Sequence, residues 1–199
     1  MVKQGSTMLV AVVGPSGAGK DTLMAGARAH LAGDRRFRFV RRSITRSAES
    51  GGEVHEPLTR VAFAARRDAG GFALWWEAHG LLYGIPRDIE ADIADGRVVV
   101  ANLSRHALTS AATHHPLRVL HITAPVALRA ARLAARGRED VADIAARLAR
   151  EAPLPEGLDV ETVMNDAAPE AGIERVLAAL SRAASDAPRS RRAHAAPPA

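Results

Sequence analysis

The sequence predicts an α/β fold built on a parallel five-stranded core sheet flanked by helices. Apolar runs of strand length recur along the chain, and stretches with helical spacing of apolar residues separate them. Parallel strands need a long crossover, usually a helix, so the alternation points to a sheet covered on both faces. The first apolar run is continuous rather than alternating, as a strand buried on both sides requires.

Residues 8–13 (Met-Leu-Val-Ala-Val-Val) are that first run. Gly14 to Lys20 turns the chain. A helix follows from Asp21 to Ala32, with Leu23, Ala27 and Leu31 on one face and Gly33-Asp34 as its stop. Phe37 to Arg42 alternates apolar residues with Arg and reads as a second strand. Residues 43–84 are irregular, with Gly51-Gly52, Pro57, Gly70-Gly71 and Gly80 separating strand-like pieces around Phe63 and Phe72–Trp76. A helix is expected at Arg87–Ala94, stopped by Gly96, then the strand Val98–Ala101. Ser104 is a candidate cap for a helix to Thr113. Arg118–Thr123 reads as a strand and Val126–Ala135 as a helix. Residues 136–140 break that helix, and Val141–Ala152 resumes helical spacing. Val160–Met164 is the last strand and Pro169–Ala184 the last helix. Residues 185–199 hold three Pro, three Arg and nothing large and apolar, and read as a disordered tail.

Composition narrows the classes. The chain has 199 residues, 27 Lys and Arg against 22 Asp and Glu, eight His and no Cys. That length suits one domain, residues 1–184, with an insert over 43–84. Without Cys there is no disulfide scaffold and no thiolate metal site. The His residues, including adjacent His114 and His115, lack metal-ligand spacing. No apolar run approaches the roughly 18–20 residues of a membrane span, and Met1-Val2-Lys3-Gln4 does not open like a secretory signal, so a cytoplasmic protein is expected. The tail supplies +2 of the formal charge of +5, and the +3 left on the body is too little to argue for a nucleic-acid surface. Oligomeric state is open, with a homodimer among the alternatives.

Gly14-Pro15-Ser16-Gly17-Ala18-Gly19-Lys20 fits G-x-x-x-x-G-K and stands between a strand and a helix, the context that motif requires. Its glycines let backbone N–H groups turn inward around phosphate oxygens, and the helix N-terminus adds partial positive charge. Lys20 is the point charge for the β- and γ-phosphates. Of the 27 basic residues only Lys3 and Lys20 are lysines, so an ammonium is kept where a planar fork would not fit. The fold class is therefore a P-loop NTPase fold, with ATP and Mg2+ as the expected cofactors. Position 21 is Asp, where the general motif has Ser or Thr for magnesium, and Thr22 follows. Asp21 has two readings: a metal or acceptor contact, or an acid favoured by the helix dipole. GTPase base-reading motifs such as N-K-x-D are absent.

A second set of residues carries a family resemblance. Ser43-Ile44-Thr45-Arg46, Gly52-Glu53, His55, Phe63 and Trp76 to Gly84 are similar, in order and spacing, to the acceptor region of guanylate kinases. Arg129 to Leu133, Arg136-Gly137 and Ile144 to Leu148 resemble that family's Arg-rich lid, here about 132–147, and Asn165-Asp166 its Asn-Asp beside the nucleotide base. Two family elements are missing. The Asp-Tyr-His-Phe element that grips GMP is replaced by Glu56 to Phe63, without Tyr, and the acidic strand end reads Ala101-Asn102-Leu103-Ser104. Guanine discrimination needs buried polar partners, so their loss argues against GMP. Gly14–Leu23, Ile44–Arg46, Glu53–His55, His79–Gly84, Val98–Arg105 and Arg136–Glu139 together resemble the ribose 1,5-bisphosphate phosphokinases of phosphonate degradation.

That resemblance implies ATP-dependent phosphorylation of ribose 1,5-bisphosphate to 5-phosphoribosyl 1-diphosphate. Gly14 to Thr22, Arg132 and Asn165 would bind ATP, with Lys20, Arg136 and Arg147 catalytic. Arg42, Ser43, Arg46, His55, Glu77, His79, Tyr83 and Asn102 would bind the acceptor; His55 and His79 read equally as structural histidines. Trp75-Trp76 would pack the acceptor lobe, and Arg129 and Arg150 would be solvated helix residues. The alternatives are a nucleoside-monophosphate kinase, a non-catalytic binding module of the same fold, and a nucleic-acid binder suggested by charge alone. The expected partners are small molecules, with no nucleic acid and no membrane.

Overall fold

The computed structural model describes residues 8–48, 53–135, 148 and 153–186. The core sheet has five parallel strands: β1 (Leu9–Val13), β2 (Phe37–Phe39), β7 (Val98–Asn102), β8 (Leu117–Thr123) and β9 (Asp159–Met164). Their order across the sheet is β2-β7-β1-β8-β9. Central β1 pairs with β7 from Leu9↔Val99 to Val12↔Asn102 and with β8 from Leu9↔Leu117 to Val13↔His121. All five of its residues are buried, which explains its unbroken apolar run.

The two faces of β1 build two cores. Val10 and Val12 join Leu23 and Ala27 of α1 (Lys20–His30) and Val176 and Leu180 of the last helix, α6 (Pro169–Asp186). Leu9, Ala11 and Val13 join Ile89 and Ile93 of α3 (Ile89–Ala94) and Leu108 of α4 (Leu108–His114). Burying each such Leu or Ile contributes about 1.5–3 kcal/mol. Helix α5 (Val126–Ala134) follows β8 and buries Arg129 and Leu133.

Residues between β2 and α3 form a second, four-stranded sheet in the order β4-β3-β6-β5. Its strands are β3 (Ser43–Ile44), β4 (Glu56–Pro57), β5 (Phe72–Ala78) and β6 (Leu81–Pro86), with helix α2 (Arg60–Asp68) between β4 and β5. This corrects the strand-like piece expected around Phe63. Phe63 sits on α2, which starts at Thr59, whose side chain accepts from the Ala62 N–H at 3.1 Å. Phe63 alone of this helix is buried, stacked on Phe72 with centroids 4.5 Å apart, so no helical stripe showed in the sequence. Strands β5 and β6 form a hairpin turned by His79 and Gly80, both at positive φ (51° and 71°), which suits the twist of a two-residue turn.

Smaller corrections follow. The ladder of β2 stops at Phe39, although the Val40 N–H still donates to the Val100 carbonyl at 2.9 Å. Ser104 precedes a short 3-10 turn (Arg105–Ala107) rather than an α-helix and makes no side-chain cap. The last helix runs through Asp186, two residues into the segment read as tail, and Arg118 holds Asp186 at 2.9 Å. Arg38 and Arg97 both donate to the buried Asp92 carboxylate, tying α3 to β2 and β7, an ionic cluster the sequence did not disclose. Among the described residues no helix is long and apolar enough to cross a membrane.

Candidate active site

The loop from Gly14 to Gly19 leaves the buried end of β1 and enters α1. Three of its glycines are required by its geometry, Gly14 because a Cβ there would lie 2.3 Å from the Ile122 carbonyl oxygen. Gly17 and Gly19 have φ of 80° and 79°, a region that L side chains rarely adopt. A Cβ on Gly17 would lie 2.7 Å from the Arg129 carbonyl oxygen, and one on Gly19 would lie 2.4 Å from Asn165 Nδ2. The loop is closed by the Ala18 N–H on the Pro15 carbonyl at 3.2 Å, while Ser16 is exposed at its crest. Lys20 starts the helix, and its ammonium lies 2.7 Å from Asp21 Oδ1. Asp21 and Thr22 are both exposed on the first turn.

Three side chains brace this loop from outside. Arg129 Nε donates to the Ser16 carbonyl at 3.1 Å. Arg132 Nη1 lies 3.4 Å from the Gly17 and Ala18 carbonyls. Asn165 Nδ2 donates to the Ala18 carbonyl at 2.8 Å. The expectation of a solvated Arg129 is thus overturned: it is 3% exposed and bonded to the loop. Helical position cannot distinguish a buried Arg from a surface one in an Ala/Arg/Leu helix, so the sequence held no signal for it. Arg132 and Asn165, expected from the resemblance to contact ATP, both lie against the loop. With Gly19, Thr22, Leu23, Ala135 and Pro169 they line a cavity of about 300 Å³. Arg136, Arg147 and Arg150 lie outside the described residues.

The second sheet brings together a different cluster. Arg42 Nε donates to Glu53 Oε1 at 2.6 Å, and Asn102 Nδ2, at the end of β7, donates to Glu53 Oε2. The Arg42 guanidinium also lies 5.0 Å from the Tyr83 ring centroid and 5.7 Å from that of Trp76, and those two rings stack 5.4 Å apart. Glu53 was quoted in the sequence only as part of a motif. It supplies beside β7 the carboxylate that the strand end, with Asn102, lacks. Ser43 is fully buried and donates to Glu56 Oε2 at 2.6 Å, which also takes Arg66 Nη1 at 2.8 Å. The Ser43 hydroxyl, followed by the Arg66 guanidinium, holds the Glu56 carboxyl below its ordinary value despite the opposing effect of burial.

His55 is 3% exposed, with Nδ1 3.0 Å from the Glu53 carbonyl and Nε2 3.1 Å from the Arg46 carbonyl. It ties Glu53 to Arg46 through their carbonyls rather than facing outward. Arg46 Nη2 lies 3.4 Å from His55 Nδ1, and Arg46 Nε is buried with no partner among the described residues. Two candidates are not brought to this cluster. Glu77 is exposed on the face of β5 opposite Trp76 and lies 3.7 Å from Arg60. His79 is exposed at the hairpin tip.

A cavity of about 460 Å³ lies between α1 and the Glu53–Asn102 pair. Asp21 and Arg28 of α1 line one side, Glu53 and Asn102 another, and Met24, Phe39, Val40 and Val100 form an apolar wall. The carboxylates of Asp21 and Glu53 are hard oxygen ligands of the kind a divalent cation takes together with phosphate oxygens. Among the described residues no three His, Cys, Asp or Glu converge on one point, so no all-protein metal cage is built.

No family model matches the chain. Individual proteins do. The chain is 51% identical over 158 residues to ribose 1,5-bisphosphate phosphokinase PhnN of Brucella melitensis, covering 78% of this chain and 82% of that protein. It is 46% identical over 175 residues to the protein of that name from Rhizobium etli, covering 87% and 89%. A bifunctional ribose 1,5-bisphosphokinase-thymidine phosphorylase of Azorhizobium caulinodans is 50% identical over 182 residues; the match spans 90% of this chain but only 26% of that longer protein. Among solved structures, guanylate kinase from Anaplasma phagocytophilum superposes with a TM-score of 0.61 at 16% identity, over 90% of this chain and 88% of that one, which shows the shared fold. With half its residues identical over most of both lengths, the chain belongs to the family of ribose 1,5-bisphosphate phosphokinases.

Proposed function

We propose that the chain transfers the γ-phosphate of ATP to the 1-phosphate of ribose 1,5-bisphosphate, giving 5-phosphoribosyl 1-diphosphate and ADP. The single observation that carries this reading is the cavity shared by the first turn of α1 and the Glu53–Asn102 pair. It sets a phosphate-loop helix beside a polar cluster in which Glu53 takes both Arg42 and Asn102.

The acceptor oxygen is already ionised at neutral pH, so no general base is required. It attacks the γ-phosphorus of ATP; the bond from that phosphorus to the β,γ-bridging oxygen breaks, and the electron pair leaves with ADP. Catalysis is then positioning and charge neutralisation. Loop N–H groups and Lys20 take the β- and γ-phosphate oxygens. The Lys20–Asp21 pair opens as the triphosphate enters, freeing the ammonium for phosphate. Thr22, Arg132 and Asn165 border the adenosine side. Arg136 and Arg147, on a lid over residues 132–147, clamp the transferring phosphoryl group. Magnesium fits the donor set: Asp21 would hold it with the phosphate oxygens, and it supplies charge neutralisation. Arg46, Arg42 and Tyr83 face the acceptor phosphates, and Glu53 and Asn102 the ribose. Ser43 and His55 act by shaping the strands that carry these groups. Residues 1–186 act as one kinase domain, in the cytoplasm where ATP is drawn from.

A second reading is favoured by the apolar wall of Met24, Phe39, Val40 and Val100, which suits the flat face of a nucleobase. It would make the chain a nucleoside-monophosphate kinase. ADP release measured with ribose 1,5-bisphosphate, GMP and other nucleoside monophosphates decides between them. Turnover on the bisphosphate is expected; turnover on GMP without it overturns the reading.

A further inference from the structure

A loop that turns its N–H groups inward to hold an anion turns its carbonyls outward, and those carbonyls need donors of their own. Here three consecutive carbonyls take them from outside. Ser16 is served by Arg129 at 3.1 Å, Gly17 by Arg132 at 3.4 Å, and Ala18 by Asn165 at 2.8 Å. Because the peptide unit is planar and trans, the direction of each carbonyl sets the direction of the next residue's N–H. The Ser16 carbonyl therefore aims the Gly17 N–H, and the Ala18 carbonyl aims the Gly19 N–H. The Ala18 N–H between them is spent on the Pro15 carbonyl.

Arg129 differs from the other two braces. Arg132 and Asn165 line the cavity beside the loop, where a nucleotide would touch them; Arg129 does not. Its guanidinium is withdrawn from water, and its backbone occupies the space a Gly17 side chain would need. Arg129 thus meets Gly17 twice, through the Ser16 carbonyl and through the packing that keeps position 17 a glycine. A fixed cation behind the loop also adds to the field its N–H groups present to a polyphosphate.

We propose that Arg129 is a positioning residue for the phosphate loop: by holding the Ser16 carbonyl outward it aims the Gly17 N–H at the nucleotide's phosphates. The role rests on the ATP-kinase reading. It is tested by calorimetric binding of ADP and of adenosine, which carries the base without phosphates, to the full-length chain and to Arg129→Met and Arg129→Lys. Arg129→Met is expected to weaken ADP by about tenfold, the loss of one charge-assisted hydrogen bond's aim, while adenosine stays within about twofold. Arg129→Lys, which keeps the charge and a donor, recovers part of the ADP affinity. If Arg129→Met does not fold, the ADP-to-adenosine affinity ratio of Arg129→Lys is read instead and should still fall below that of the unsubstituted chain. Unchanged ADP affinity, or equal losses for ADP and adenosine, overturns the positioning role alone. An unsubstituted chain that binds neither ligand overturns the kinase reading, and this role with it.

Discussion

The loop at the end of β1 and the insert that follows β2 are made of different material, although the helix that the loop starts and the Glu53 that the insert carries line one cavity. The loop works with its backbone: glycines at positive φ, carbonyls braced by Arg129, Arg132 and Asn165, and one charged side chain at Lys20. The insert works with side chains: Arg42 held by Glu53 and stacked on Trp76 and Tyr83, Ser43 and Arg66 converging on Glu56, His55 tying Glu53 to Arg46. Backbone N–H groups recognise any polyphosphate, and their design can be shared among many enzymes. Side-chain clusters recognise one acceptor and change with it. The half of the site that is common is therefore the backbone half, and the half that confers identity is built from polar side chains.

Four experiments press on that contrast, starting with the largest effect. Lys20→Ala removes the one mobile charge from the backbone half, and kcat in an ADP-release assay should fall by about 10²- to 10³-fold, as when a preorganised donor to the transition state is lost. An undiminished kcat would strip Lys20 of that role. Gly17→Ala tests rigidity itself. A side chain at φ 80° and 2.7 Å from a backbone oxygen should cost about 2 kcal/mol or more in urea unfolding. Tolerance of Ala there would mean the loop yields as easily as the insert.

Glu53→Gln addresses the side-chain half. Its carboxylate and Arg42 are 15% and 13% exposed, so losing the charge should destabilise by about 1–2 kcal/mol. Gln still accepts from Asn102, so the acceptor KM should rise while the ATP KM holds; a rise in both would break the division into two halves. The smallest effect is that of pH on the insert. The Glu56 carboxyl titrates below its ordinary 4.5, so it adds stability above that value and loses it as pH falls through the lower folded value. Tm measured downward from pH 5 should therefore drop more steeply than in Glu56→Gln.

The same contrast explains what could be read in advance. The strands of the core sheet, α1 and the loop from Gly14 to Lys20 were legible because a buried parallel strand and a phosphate loop leave local patterns. Arg132 and Asn165 were singled out by family likeness as ATP contacts, and the structure sets both against the loop. The insert was poorly legible. Helix α2 buries one apolar residue, Phe63, and β3 and β4 have two residues each, too short for a period. Glu53 was given no role of its own and Arg129 was read as solvated for a common reason: each has a partner far along the chain, Asn102 and Ser16, 49 and 113 positions away. Charged residues carry no mark of burial in the sequence, whereas Glu77 and His79 carried a motif and yet face solvent.

The hairpin tip has a consequence for how much freedom this lobe has to change. Two residues, His79 and Gly80, set the parity of both strands, placing Trp76 opposite Tyr83 and so under Arg42. Side chains alternate along a strand, so one extra residue taken up in β6, with β5 held in place, would carry Tyr83 away from Trp76 and Arg42. An insertion at the tip therefore keeps Tyr83 on Trp76 only where the turn or a bulge takes up the odd residue, as the register shift between Phe72 and Leu74 does at the far end of the same pair.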